Sequence, residues 1–288
     1  MAETKTTVTA AAAKSTTTSH QPKKSSNLFA ALAVPICLAI GILFYVFVLG
    51  NPANFQGGHT GPGAHPVEEG IGKWFGTVYM GGFVVPVLIS VLLICLTFVI
   101  ERFLYLSKAK GKFSGSELVR KVQYHLANKN VDAALAECDK QKGSVGNVLK
   151  AGLKKYKEMI TNTELDTDQK ILSIKNEIEE TTALELPMME KNLVFLSTIA
   201  SIATLLGLFG TVLGMIRAFS AMATGGAPDS AQLAGGISEA LINTALGIGT
   251  SAVSIIMYNY FTTNIDSITY AIDESGFTLT QSFAANHK

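Results

Sequence analysis

Residues 192–216 read NLVFLSTIASIATLLGLFGTVLGMI. These 25 residues contain no Asp, Glu, Lys or Arg. A helix of about 20 such residues crosses roughly 30 Å of hydrocarbon. A strand reading fails, because buried strands run about four to eight residues between turn signals. Working outward, 28–49, 74–100 and 240–265 are equally free of charge and rich in apolar residues. The chain therefore reads as an all-α polytopic membrane protein with four spans.

Composition agrees. Of 288 residues, 48% are hydrophobic and 16% charged, against roughly 25% charged in a soluble domain. Mean hydropathy is +0.32. A net charge of +1 offers no basic field for nucleic acid. The three cysteines, Cys37, Cys95 and Cys138, have no C-x-x-C spacing, so neither a disulfide framework nor a zinc site is expected. No cofactor is implied.

The basic residues set the orientation. Sixteen of the 23 lie in 101–191, four in 1–27, and only Lys73 in 50–73. The positive-inside rule places 1–27 and 101–191 in the cytoplasm. Segments 50–73 and 223–235 then become the outside loops, and 266–288 a cytoplasmic tail. Lys23 and Lys24 before the first apolar run also resemble a signal peptide. At 22 residues the run is long for that role, and no A-x-A site follows closely, so a retained anchor is the preferred reading. Cleavage would leave three spans and an outside N-terminus.

Residues 1–27, rich in Thr, Ala, Ser and Lys, read as a disordered tail. The Gly- and Pro-rich loop 50–73 reads as irregular. His59 and His65 within it lack a carboxylate or thiol to complete a metal set. The segment 101–191 reads as helices. Ser114-x-x-Glu117 has the form of a capping box. Asn130 stands as the cap of 131–141. Gly143 and Gly146 interrupt before a helix near 148–160. From Asp168 the spacing of Ile171, Ile174 and Ile178 predicts one helix running to Met222, kinked only at Pro187. The third span, 192–222, is thus expected to be continuous with the helical cytoplasmic domain.

Polarity within the membrane separates the spans. The first two are greasy. In the third, Ser197, Ser201 (or Ala200), Thr204, Gly207, Thr211, Gly214 and Ala218 recur every three or four residues and share a face. Leu193, Leu196, Ile199, Leu206, Leu213 and Ile216 fall opposite. In the fourth, 236–265, Ala240, Thr244, Gly247, Ser251 and Ser254 form a similar stripe, flanked by Glu239 and Asn243. Close helix packing explains Gly207, Gly210, Gly214 and Gly247. It does not explain Glu239, since an acid at a helix centre costs about 2.5–3.5 kcal/mol. Thr204, Thr211, Glu239, Asn243 and Thr244 are therefore candidates for a proton pathway completed by further subunits or a partner helix. An enzyme is not expected. Gly247-x-Gly249-x-x-Ala252 mimics a dinucleotide motif but lies inside a span with no preceding strand. No nucleophile–base pair accompanies Glu239.

The stretches LFGTVLGMI at 208–216 and GISEALINTALG at 236–247 resemble the paired signatures of the MotA/TolQ/ExbB proton-channel family, ExbB above all. The resemblance covers about 74–265, and the first span stands outside it. It implies a stator in a Gram-negative inner membrane. Its subunits would form a homo-oligomeric ring, pentameric in the ExbB case, around a dimer of an ExbD-like or TolR-like single-span protein carrying a membrane Asp. Thr211 resembles the family's pore-lining threonine, and Glu239 and Thr244 its acid and second threonine. Proton flow would then drive a TonB-like protein and outer-membrane transport, or a TolQ-like role in envelope constriction; a non-conducting membrane scaffold is the remaining alternative.

Overall fold

The computed structural model describes residues 28–58, 60, 64–223 and 230–287. The expectations for the 1–27 tail, for His59 and for 224–229 of the 223–235 loop lie outside these residues; 230–235 of that loop are helical. Among the described residues the chain is helical throughout, apart from loops and one isolated antiparallel bridge between Phe55 and Pro66. Four helices are long and apolar enough to cross a membrane, beginning at Ala31, Val84, Thr167 and Ser230.

The first span is α1 (Leu28–Leu43), extended by a π-helical stretch at Phe44–Leu49. Asn54 Nδ2 donates to Val48 O (2.7 Å) and Leu49 O (3.0 Å). It thereby satisfies carbonyls that a helix end leaves without partners. The second span is not the single helix expected over 74–100. It is α2 (Gly70–Tyr79) and α3 (Val84–Lys110), separated at 80–83. Pro86 supplies the reason. Its ring would clash with the carbonyl four residues earlier, at Gly82, and it has no N–H to donate. Gly82 absorbs the break at φ +74°, a conformation glycine enters freely.

The helical bundle over the segment expected to be cytoplasmic comprises α4 (Gly115–Ala127), α5 (Val131–Gln141), α6 (Gly143–Thr161) and α7 (Thr167–Glu190). Asn130 caps α5 as expected, accepting from Ala133 N–H at 3.0 Å. The capping box at Ser114 does not form, because the Ser114 hydroxyl turns to Ser116 at 3.2 Å. The expected interruption falls at 142–143, between α5 and α6, whereas Gly146 does not interrupt and lies inside α6. Gly143, at φ +80°, lets the chain pass against the carbonyls of Lys108 and Ala109 at the end of α3. Burial pushes the Cys138 thiol in this core up to about 12, so it stays protonated and inert.

Two further expectations are corrected. The predicted helix from Asp168 to Met222 runs through Pro187 but breaks at 191–192, before α8 (Leu193–Ala223). The buried Arg102 side chain explains the break. Its Nη1 donates to Met188 O (3.4 Å) and Met189 O (3.3 Å). A continuous helix would have used those carbonyls for the N–H groups of Asn192 and Leu193. Asn192 enters the left-handed region at φ +68° and donates to Glu101, which pairs with Arg102. The segment 266–288 is also more than a tail. The last helix, α9 (Ser230–Asn286), has 57 residues, about 86 Å at 1.5 Å per residue. Only about 30 Å of this is needed to cross the bilayer. Its extension buries Ile268, Ile272, Leu279 and Phe283 in the core formed by Leu118, Leu149, Leu153 and Ile174.

Arg102→Ala should therefore lower stability by about 2–3 kcal/mol, leaving buried carbonyls unpaired. Phe283→Ala should cost about 3–5 kcal/mol. Both are read as lowered unfolding midpoints of the detergent-purified chain. A dispensable tail would give no change at Phe283.

Candidate functional site

α8 and α9 form an antiparallel pair whose seam can be followed residue by residue. Near the start of α8, Ser254 Oγ donates to Leu196 O (2.6 Å) and Ser251 Oγ to Ala200 O (2.7 Å). Further out, Gly247 lies against Ala203 O and Gly207 Cα, Gly210 against the Asn243 side chain, and Gly214 against Ala240 N and Gly236 O. At the opposite end Gly236 meets Ala218. A Cβ on Gly214 would stand 2.7 Å from two backbone atoms of α9. The four glycines assigned to packing thus all lie in the seam.

The predicted stripe on α8 is partly displaced. Ser197 and Ser201 are exposed, while Leu193, Leu196 and Ile199 are buried. The first third of α8 packs against the apolar face of α3, where Phe98 stacks on Phe195 with ring centroids 4.6 Å apart. That α3–α8 contact is built by large side chains, and Ser197 and Ser201 turn outward.

The candidate residues divide between two sides of the seam. At about 100° per residue, Thr204 and Thr211 sit roughly 60° and 40° to one side of Gly207. Thr244 sits about 60° to one side of Gly247, and Asn243 and Glu239 about 40° and 80° to the other. Because the helices are antiparallel, the three threonines share one side, and Glu239 and Asn243 take the opposite one. Contacts agree. Asn243 Nδ2 donates to Gly81 O (2.9 Å) in the α2–α3 break, and Ile242 packs on Gly81. The sequence pattern thus placed five residues in one pathway that the fold separates into three and two.

The threonine side is left open by the rest of the described chain. Leu208, Met215 and Phe219 on α8, and Ile237, Leu241 and Ile248 on α9, are exposed beside it. A groove of about 620 Å³ is lined by Thr211, Val212, Met215, Ile216, Phe219 and Ser220. Thr204 and Thr244 donate to the carbonyls of Ala200 and Ala240, and Thr211 to that of Leu208. Each hydroxyl spends its proton inside its own helix and keeps acceptor lone pairs for the open side.

The other side is polar but closed. Glu239 is 4% exposed. Both its oxygens accept from Arg217 Nη1, at 2.8 and 2.7 Å. Arg217, a half-exposed residue near the end of α8, was not assigned to the site from sequence. The signal was present, since both charges interrupt apolar spans. Matching them required the helix register, which the hairpin alone supplies. Asn243 is fully buried, and its Oδ1 has no partner among the described residues. No cluster of three or more His, Cys, Asp or Glu that could hold a metal occurs among the described residues.

Residues 140–274 match the model of the MotA/TolQ/ExbB proton channel family. Over this stretch the chain is similar to that family. The match takes in both motifs, α8 and most of α9, and leaves α1 and α2 outside. The chain is 37% identical over 86 residues to the putative biopolymer transport protein ExbB-like 3 of Synechocystis, covering 29% of this chain and 41% of that protein. It is 32% identical over 117 residues to the Tol-Pal system protein TolQ of Pseudomonas aeruginosa, covering 41% and 51%. It is 38% identical over 73 residues to the biopolymer transport protein ExbB of Salmonella typhimurium, covering 25% and 30%. The chain therefore spans about half or less of these relatives. The family consists of membrane transport components rather than enzymes.

Gly214→Ala should lower stability by about 1–3 kcal/mol, because backbone and not a flexible side chain blocks the new methyl. Gly249→Ala is the control, with nothing within 4 Å of its Cβ position. It should be neutral or slightly stabilising through helix propensity. Thermal unfolding in detergent reads both.

Proposed function

We propose that the protein is the proton-conducting stator subunit of an inner-membrane motor. The open threonine side of the α8–α9 seam carries this reading. Thr204, Thr211 and Thr244 lie in otherwise apolar spans, with acceptor groups directed to a face that no other described element of the chain covers. One chain supplies too little of this face to enclose a path. Several copies, five by the family's pattern, would place it around a central partner. The partner is a dimer of an ExbD-like or TolR-like single-span protein carrying the proton-binding carboxylate.

The work delivered is coupling to TonB-dependent transport across the outer membrane. One charge crossing 100 mV releases about 2.3 kcal/mol. Displacing a folded plug of ordinary stability, about 5–15 kcal/mol, takes several protons per stroke. The machine therefore ratchets. The cytoplasmic bundle, into which α7 and the α9 extension both pack, is the rigid base against which the ring works. A TolQ-like role in envelope constriction is the second reading, favoured by the 117-residue similarity to a TolQ protein.

Thr211→Val and Thr244→Val keep size and remove the hydroxyl. In vesicles containing the chain and its single-span partner, each should lower partner-dependent proton flux about tenfold with assembly unchanged. Flux equal to wild type in both variants would contradict the reading. In cells, loss of TonB-dependent uptake with normal constriction selects the first role, and the reverse outcome the second.

A further inference from the structure

The pairing of Glu239 raises the question of what the carboxylate does if it does not face the open side. Its surroundings give an answer. The Cβ that any other residue would carry at Gly82 falls on Glu239 Oε1 and 3.3 Å from Arg217 Nη1. The carboxylate therefore rests directly on the break between α2 and α3. One turn along α9, Asn243 holds the neighbouring Gly81 through its carbonyl. From the other flank the first span closes on the same break. Tyr45 stacks on Tyr79, the last residue of α2, with centroids 4.7 Å apart. Its hydroxyl donates to Tyr79 O at 3.2 Å. Two glycines and a proline make this stretch intrinsically weak as helix, and side chains from α1, α8 and α9 converge to hold it.

We propose that Arg217 and Glu239 form a clamp that fixes the broken second span against the α8–α9 pair, and that Glu239 is a positioning residue rather than a proton carrier. Arg217 is half-exposed, yet its guanidinium reaches the buried acid. The pair then ties the end of α8 to the start of α9 and to the hinge. It keeps the threonine side in register without taking part in transfer. This deepens the stator reading and rests on it for its functional consequence, though not for its structural one.

The clamp has an asymmetric signature. Removing Arg217 leaves a 96%-buried carboxylate without its cation, whereas removing both charges leaves only polar amides. Arg217→Gln should lower the unfolding midpoint by roughly 5–10 °C and partner-dependent proton flux about tenfold. Glu239→Gln in the same chain should reverse most of both losses, acting as a suppressor. Arg217→Lys, which keeps the charge, should fall between wild type and Arg217→Gln. A proton-carrying Glu239 gives the opposite pattern. Then Glu239→Gln abolishes flux in any background, and Arg217→Gln/Glu239→Gln is as inactive as Glu239→Gln alone. That result overturns the proposal. The unfolding midpoints test the clamp separately from conduction. Suppression of the stability loss supports it even where the wild-type chain passes no protons, an outcome that counts against the stator reading alone. Additive midpoints, with no suppression, overturn it.

Discussion

The close approach of α8 and α9 is the constraint on which the site depends. Hydrocarbon provides no hydrophobic drive to bring two apolar helices together, so they associate through packing and a few hydrogen bonds. Gly207, Gly214, Gly236 and Gly247 bring backbone to backbone over much of the span, Gly210 makes room for the Asn243 side chain, and Ser251 and Ser254 bond across the seam near the start of α8. Once the seam is this narrow, side chains flanking it have only two directions to go. Three threonines go one way, and an acid and an amide the other. The polarity of the spans is thus sorted by a packing requirement, and the open face inherits hydroxyls in place of charges.

The same economy governs the closed side. A carboxylate and an amide within an apolar span need partners on site. Glu239 finds Arg217, and Asn243 finds a carbonyl released by the break at 80–83. The break and the polar residues therefore explain one another. A straight second span would offer Asn243 no free carbonyl, and an apolar α9 would leave the broken span unsupported. A comparable arrangement appears at the junction of α7 and α8, where Arg102 takes the last carbonyls of α7 and ends it. Cations at both ends of α8 thus fix how it meets its neighbours.

Much of this architecture was legible in the sequence. Charge-free length identifies membrane helices, and that signal needs no knowledge of contacts. The seam glycines and the motifs at 208–216 and 236–247 were equally plain, because spacing along one helix defines a face. The misreadings share a different origin. The break at 80–83 is caused by a proline several residues downstream. The break at 191–192 is caused by an arginine from another helix, and the helical tail by a core to which it contributes four large side chains. Arg217 was visible as a charge but not as a partner, since pairing depends on the offset between two antiparallel helices. Periodicity reports which residues share a face of one helix. It does not report which neighbour that face meets, and so it merged two sides of the seam into one pathway.

The central claim is that the two sides differ in access to water: the threonine side is hydrated in the assembled protein and the Asn243 side is dry. Single cysteines placed on the two sides, labelled in native membranes with a charged thiol reagent, test it most directly, because native Cys37, Cys95 and Cys138 are all buried. Thr211→Cys and Thr244→Cys should label well above the wild-type background, and Asn243→Cys should not. Labelling of Asn243→Cys as fast as the threonine positions, or of neither threonine position, would contradict the account.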